Sequence, residues 1–134
     1  MKLSSKSITA IKMFIDLGEH YDEGFISLVD IAKRKELSKK FLEQIVPLFK
    51  NNNLLICNRG NQGGYKLAKS PNKITLKDIV YLTENSLNES NENNGSIDVV
   101  LDEVDNLLDK YFSNVSLTKL IELEKESYSN NYFI

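Results

Sequence analysis

The chain has 134 residues, of which 41% are hydrophobic and 27% are charged, a balance typical of one globular domain with or without an appendage. Its apolar runs are too short to span a bilayer, its first residues lack the apolar core of an export signal, and a single cysteine cannot form an internal disulfide. These features argue against a disordered chain, a membrane protein and a disulfide-rich secreted protein, and they predict a cytoplasmic protein.

The charge is divided unevenly along the chain. Residues 1–82 carry 14 Lys+Arg against 8 Asp+Glu, whereas residues 83–134 carry 3 against 11. A basic front and an acidic rear indicate that only the front meets a polyanion such as DNA. Chance segregation of solvated charges is the alternative.

Two helices are predicted near the start of the chain. Apolar residues at three- and four-residue steps predict a helix over 5–18, with Gly18 as its stop. Ser27 is followed three residues later by Asp30. This spacing resembles a capping box and predicts that the next helix begins at Leu28.

A third helix is predicted after a tight turn. Ser38 is a good N-cap, so this helix is expected to begin at Lys39. Pro47 lacks a backbone N–H and is expected to kink or end the helix, most simply as a bend near 43–46 with helical turns that resume towards Lys50. The apolar face of the helix consists of Phe41, Leu42, Ile45, Leu48 and Phe49. Two short helices joined by a tight turn form the helix-turn-helix pattern.

A hairpin and a further capped helix are predicted next. Residues 54–58 and 65–68 have the composition of strands, and RGNQGG at 59–64 connects them with glycines that adopt positive φ at little cost. Thr75, with Asp78 three residues later, predicts the capped start of the helix.

The second half of the chain is predicted to contain a linker and two helices. The Asn- and Ser-rich stretch 85–96 has little to bury and indicates a linker. A long helix is predicted over about 97–112, and Ser116 is expected to cap a final one. The long helix carries an apolar stripe made of Ile97, Val100, Leu101, Val104, Leu107, Leu108 and Tyr111. We expect this stripe to pair with a second subunit, with closure onto its own domain as the alternative.

The order of elements predicts the fold class: mainly α with a small β-hairpin, as a winged helix-turn-helix domain plus a long dimerisation helix. The expected division is a DNA-binding domain over 1–84, a linker over 85–96, and the dimerisation helix, final helix and tail over 97–134. A plain helical hairpin that binds no nucleic acid is the alternative.

A winged helix presents two elements to duplex DNA. The third helix fits the major groove, where Gln44 would read adenine and Glu43 the amino group of cytosine. Arg59 at the wing tip would enter the minor groove, although it is also explained as an ordinary hairpin cation. Glu43 has a second explanation as the partner of Lys39 or Lys40. The predicted DNA contacts are Ser38, Lys39, Lys40, Glu43, Gln44, Arg59, Gly60, Gln62 and Tyr65.

Several of these motifs together resemble one family of regulators. The FLEQ core of the third helix, Pro47, RGxxGGY and ITLxDI are similar, over residues 3–83, to the bacterial winged-helix regulators that include IscR, NsrR and CymR (the "Rrf-two" family). The resemblance implies a homodimer that binds a partly palindromic operator, with Ser38 to Gln44 in the major groove and Arg59 in the minor groove. It also implies that a proline inside the recognition helix is tolerated.

The chain departs from the iron–sulfur members of that family. Those members carry three cysteines in the loop before the long helix, whereas 85–96 contains none. Cys57 alone cannot supply the thiolates of a cluster, so we expect no cofactor and no metal. Cys57 is expected to be buried and inert, with a redox switch as the alternative. His20 is expected to be solvated near a helix end.

The C-terminal residues resemble those of a clusterless member. CymR, the cysteine-metabolism regulator of the family, ends in an aromatic pair followed by isoleucine, and this chain ends in Tyr132, Phe133 and Ile134. The resemblance implies a cysteine synthase as partner, bound through the free carboxylate and its apolar anchor. Packing of the tail on its own dimer is the alternative.

The residues therefore predict a homodimeric, sequence-specific transcriptional regulator, expected to be a repressor. Two alternatives remain open: a thiol-based redox sensor that uses Cys57, and a winged helix that binds protein and no DNA. An enzyme is not expected, since the chain has one histidine, no nucleophile paired with a base and no metal-ligand spacing.

Overall fold

The structure, a computed structural model, describes residues 1–61, 63–89 and 95–132. In these residues the chain forms helices α1 to α6 and an antiparallel hairpin of strands β1 and β2. The helices span Ser5–Glu19, Leu28–Lys35, Lys39–Asn51, Leu76–Thr83, Ser96–Ser113 and Leu117–Tyr132, and the strands span Leu55–Asn58 and Gly64–Leu67. The predicted fold class is confirmed. No helix in the described part of the chain is long and apolar enough to cross a membrane.

Hydroxyl side chains begin the helices where the sequence predicts. The side chains of Ser27 and Ser38 each accept the backbone N–H three residues later, at 3.2 Å. Thr75 and Asp78 form a complete capping box, with bonds of 3.2 and 2.9 Å in the two directions. Ser116 caps α6 in the same way, at 3.1 Å. Each cap satisfies a backbone donor that has no partner in the helix, and so fixes where that helix starts.

Two helices continue past the residues expected to stop them. Helix α1 passes Gly18 and ends at Glu19. A Cβ on Gly18 would lie 2.6 Å from Cδ1 of Ile121, so the glycine lets α6 pack closely against α1 without displacing that side chain. Helix α3 is continuous through Pro47, so an end of the helix there is wrong. Pro47 and Glu43 are both exposed, which leaves the carbonyl freed by the proline open to water.

One hydrophobic core joins both parts of the chain. It contains side chains from α1, α2, α3 and the hairpin, and the rings of Phe14 and Phe49 meet edge to face with centroids 4.8 Å apart. Leu117 of α6 is fully buried in this same core. The sequence assigns the final helix to the C-terminal region, separate from the DNA-binding domain. In the structure, this helix stabilises the winged-helix core.

An ion pair between a buried carboxylate and a partly exposed arginine fixes α2 against α1. Asp16 is 1% exposed, and Arg34 donates to its two carboxylate oxygens at 2.8 and 2.9 Å. The hydrogen bond that Arg34 donates to Asp16 raises the pKa of the Arg34 guanidinium. Lys35, the next residue, donates to Glu19 at 2.8 Å. Paired, two-pronged contacts of this kind hold the first helix of the helix-turn-helix at a fixed angle.

His20 lies at the end of α1, as expected, but it is not simply solvated. Its side chain is half-buried and contacts the carboxylate of Glu23. Its other ring nitrogen lies 3.9 Å from the carboxylate of Asp16.

Helix α5 is attached to the rest of the chain near its C-terminal end. Phe112 is buried against α4, and Lys77 of α4 forms a 2.6 Å ion pair with Asp109. Beyond α5, the backbone of Val115 accepts from Leu76 at 2.7 Å. Of the predicted linker, 85–88 form a 3₁₀ turn, while 90–94 lie outside the described residues.

Candidate nucleic-acid interface

The start of α3 presents a polar face to solvent. Ser38, Lys39, Lys40, Glu43 and Gln44 are all exposed. The opposite face, with Leu42, Ile45 and Phe49, is buried in the core. Since the core fixes the buried face, the exposed one has a defined orientation and its backbone N–H groups point outward at the helix start. This arrangement can bind phosphates at the N-terminus and base edges one turn further along.

Glu43 has a partner on its own helix. Its carboxylate lies 3.6 Å from Nζ of Lys39, and both side chains are about half exposed. Exposed pairs of this type contribute only about 0.3–0.5 kcal/mol. The alternative in which Glu43 pairs with Lys39 is therefore the arrangement in this structure, and the pair is weak enough to be exchanged for a contact to DNA.

The wing brings Arg59 to the surface. Arg59 directly follows β1, and both it and Gly60 are exposed. Gly60 has φ of +117°, in the region that favours glycine, and its carbonyl accepts from Gly63 at 2.9 Å to close the turn. Gln62, another predicted DNA contact, lies outside the described residues.

The other two glycines of the wing are required by the protein itself. A Cβ on Gly64 would lie 2.4 Å from the carbonyl oxygen of Ile26, and one on Gly63 would lie 2.6 Å from that of Asn58. Ile26 was not expected at the wing, yet its backbone exchanges bonds of 2.9 and 2.8 Å with Tyr65 in an isolated β-bridge. Two apolar residues, Phe25 and Ile26, between a glycine and a helix cap do not indicate a strand, so the pairing is visible only in three dimensions.

Tyr65 and Cys57 face each other across the hairpin at the base of the wing. Tyr65 is half-buried, and burial, followed by the neighbouring Cys57, raises the pKa of its phenol. Cys57 is also half-buried, so its thiol is less buried than the sequence predicts. Tyr65 therefore lies at the attachment of the wing, further from the tip than Arg59.

The predicted dimer stripe is mostly unburied. Leu108 is half-buried and packs against the small cluster around Phe112. The other members, Ile97, Val100, Leu101, Val104, Leu107 and Tyr111, are exposed. Packing of α5 against its own domain therefore explains the burial of one stripe residue, Leu108. At the other end of the chain, Tyr132 is the last residue of α6, and 133–134 of the predicted partner-binding tail lie outside the described residues.

The sequence offers few ligands for an iron–sulfur cluster. The chain has one cysteine, at the base of the wing, and one histidine, at the end of α1. Within the described ranges, no three His, Cys, Asp or Glu side chains come together as metal ligands. This donor set does not fit a cluster.

Comparison with known proteins gives one family. A family model described as Rrf2, iron-dependent transcriptional regulator, matches residues 3–123. The regulator IscR of Photorhabdus laumondii is 32% identical over 87 residues, which cover 65% of this chain and 53% of that protein. CymR of Bacillus subtilis is 38% identical over 84 residues, which cover 63% of this chain and 61% of that protein. The chain thus aligns with little more than half the length of these relatives.

Solved structures extend the similarity beyond the aligned sequence. The IscR structure from T. potens superposes with a TM-score of 0.79 at 30% identity, over 95% of this chain and 90% of that one. The structure of CymR of B. subtilis, described as the global cysteine regulator of that organism, superposes with a TM-score of 0.79 at 28% identity, over 92% and 98%. The polar face of α3 and the exposed wing are therefore set in a scaffold shared with proteins named as transcriptional regulators.

Proposed function

The chain belongs to the Rrf2 family of transcriptional regulators, and from this premise we propose that it is a homodimeric, sequence-specific DNA-binding repressor without an iron–sulfur cluster. The family and relatives are named as regulators of transcription, which confirms both the resemblance found in the sequence and the expectation that the chain is not an enzyme. A transcriptional regulator must be in the compartment that holds the DNA, so the proposal includes a cytoplasmic location. The observation that carries it is the exposed polar start of α3 beside an exposed arginine on the wing.

Helix α3 is proposed to read the major groove. Ser38, Lys39 and Lys40 would bind phosphates at the helix N-terminus, where the backbone dipole favours anions. Gln44, exposed one turn further along, has the length and the donor–acceptor pair to read adenine. Glu43 would leave Lys39 to accept from the amino group of cytosine, which frees Lys39 for a phosphate.

Direct DNA binding distinguishes this function from a winged helix that binds only protein. Selection of bound fragments from a random duplex pool should yield a partly palindromic site. The affinity for this site should fall steeply as salt rises, because phosphate contacts release counterions. Failure to enrich any duplex at low salt would favour the protein-binding alternative.

Replacing Arg59 by alanine is expected to weaken binding most at operators with A·T-rich flanks. A narrow minor groove concentrates negative potential, and the exposed Arg59 is the cation that the wing presents there. Titrations with A·T-rich and G·C-rich flanks measure the difference. Lys125→Ala removes an exposed charge from α6 and serves as the control, with no expected effect. Equal losses on both flanks would reduce Arg59 to a phosphate contact.

Replacing Gln44 by alanine is expected to relax the base preference at one base pair per half-site. A good bidentate contact discriminates by about 1–3 kcal/mol, and its loss affects that position alone. Affinities for operators with each base at every position provide the measurement. Lys40→Ala, on the same helix face, should instead weaken all sequences alike and lower the salt dependence. An unchanged preference profile would remove Gln44 from base reading.

The homodimer is proposed to form through α5. Its exposed stripe is a large apolar area on a helix that is attached to its own chain near the C-terminal end. Contiguous apolar surface of this kind is typical of an interface. Two copies joined here would present two α3 helices to two half-sites of one operator, and hold the acidic rear of the chain away from the phosphates.

Control of cysteine metabolism is a further part of the proposal. It is supported by the similarity to CymR of B. subtilis and by the missing cluster ligands. We propose that a cysteine synthase binds the C-terminal carboxylate with its aromatic and apolar anchor. A chain truncated before Tyr132 should lose binding to purified cysteine synthase in a calorimetric titration and keep its operator affinity. Synthase binding that survives truncation would refute this part alone.

A further inference from the structure

A pocket of about 310 Å³ lies where α1, the end of α2 and α6 meet. Small-molecule sites usually measure roughly 300–1,000 Å³ and are lined mainly by apolar side chains. This pocket is at the small end of that range, and five of its six lining residues are charged. The lining residues are Lys12, Arg34, Lys35, Glu36, Glu124 and Tyr128. A pocket so small and so polar fits a small ligand that itself carries charge.

The charges around this pocket have both signs and do not pair with one another. In the part of the chain that the structure describes, no salt bridge joins Lys12, Glu36 or Glu124 to another residue. Glu124 interacts with Lys35 electrostatically, beyond salt-bridge distance. Opposite charges that line one pocket without meeting can each be paired by a ligand that carries both complementary charges.

Arg34 adds a donor to the positive side of the pocket. Its Nε and Nη2 atoms donate to Asp16 at 2.8 and 2.9 Å, and its side chain is 39% exposed. A guanidinium has five N–H donors, so the N–H groups of Nη1 remain for an acceptor in the pocket. Arg34 and Lys12 can therefore bind an anionic group together, whereas Glu36 and Glu124 can bind a cationic one.

We infer that this pocket binds a free α-amino acid. The carboxylate of the ligand lies against Lys12 and Arg34, and its ammonium group lies against Glu36 and Glu124. A free amino acid carries the two opposite charges on one carbon atom, so it matches both the size of the pocket and the signs of its lining. A simple carboxylate or a simple amine would pair one side and leave the other unpaired.

The position of the pocket connects the ligand to the DNA-reading helix. Glu36 ends α2 with φ of +55° and lies two residues before Ser38, the cap of α3. Glu124 belongs to α6, which packs into the core through Leu117. An ammonium group held between the two carboxylates thus ties the turn of the helix-turn-helix to α6. Because the arrangement that forms the pocket also exposes the polar face of α3, the ligand stabilises that arrangement.

Titration calorimetry of the full chain with each of the twenty common amino acids tests the site without DNA. At least one amino acid is expected to bind saturably, with one molecule per chain. Its carboxamide and its N-acetyl derivative each lack one of the two charges and should bind at least roughly ten-fold more weakly. Failure of all twenty to bind at millimolar concentration, or equal binding of the singly charged derivatives, would overturn the inference.

Four variants test where the amino acid binds. Lys12→Met and Glu124→Gln each remove one charge from a side chain that is at least partly exposed, so the fold should survive while binding weakens roughly ten-fold. Lys125→Met and Glu126→Gln remove the same charges from exposed positions of α6 outside the pocket and should bind as the wild-type chain does. Binding that is insensitive to the first two variants would place the amino acid elsewhere and contradict the inference.

Operator titrations with and without the amino acid test its regulatory effect, which rests on the proposed function. At a saturating concentration, operator affinity is expected to rise at least roughly five-fold, and the operator should tighten amino-acid binding by the same factor. Unchanged or lower operator affinity would refute this coupling. Since calorimetry needs no DNA, a chain that binds the amino acid but no operator would refute the proposed function and leave the site intact.

Discussion

A Val104→Asp chain is expected to be monomeric and to bind a full operator at least roughly 100-fold more weakly than the wild-type chain. Val104 lies at the centre of the apolar stripe of α5, so pairing would bury the new carboxylate among apolar side chains, where an ionised group without a partner is strongly disfavoured. The fold itself should survive, because Val104 is exposed in the single chain and Phe112 and the Lys77–Asp109 pair attach α5 elsewhere.

The loss of operator affinity follows from the way two half-sites are read. When the subunits are joined, binding of the first recognition helix places the second at high local concentration, and this gain disappears in a monomer. Affinity for an isolated half-site should therefore be nearly the same for both chains. Sedimentation gives the oligomeric state, and titrations with full and half operators give the two affinities.

Val99→Asp is the matched control. Val99 is also an exposed valine on α5, but it lies outside the apolar stripe. The same charge at this position should leave the dimer and the operator affinity nearly unchanged. If both variants dimerise, α5 is not the interface. If Val104→Asp is monomeric yet binds the full operator as tightly as the wild-type chain, the two-half-site model is wrong.

The elements that the sequence predicts well are those set by local chemistry. Ser27, Ser38 and Thr75 each cap the helix expected of them, because a hydroxyl accepting an N–H three residues later needs no tertiary contact. The hairpin follows for the same reason, since its glycines set the turn within a few residues. The exposed polar face of α3 is also predictable, because it is the side of the helix that remains when the periodic apolar residues face the core.

The elements that the sequence misses depend on residues distant in the chain. Gly18 looks like a helix stop until Ile121 of α6 is found packed against it. Gly64 looks like an ordinary turn residue until the carbonyl of Ile26 is found against it. In both cases the glycine is explained by a missing Cβ and a close neighbour, and no local pattern identifies that neighbour.

The ion pair of Asp16 with Arg34 is another distant contact, and an Arg34→Met chain is expected to lose about 2–3 kcal/mol of unfolding free energy. Removing one partner of a fully buried pair costs about 3–5 kcal/mol, and the partial exposure of Arg34 to water lowers that cost. The methionine keeps the aliphatic contacts of the arginine stem, while the Asp16 carboxylate stays 1% exposed without its two-pronged donor. Urea unfolding at a fixed protein concentration measures the loss, since dimerisation makes stability concentration-dependent.

Lys33→Met and Arg34→Lys separate the causes of that loss. Lys33 is exposed on the same helix, so its replacement removes one positive charge without uncovering a buried acid and should cost little. Arg34→Lys keeps the charge but cannot form both bonds in the plane of the carboxylate, so its cost should be intermediate. A loss in Arg34→Met no larger than that in Lys33→Met would make the pair an ordinary surface bridge. Since α2 carries the turn that leads into α3, the larger loss would show that a buried carboxylate of α1 holds the DNA-reading helix in position.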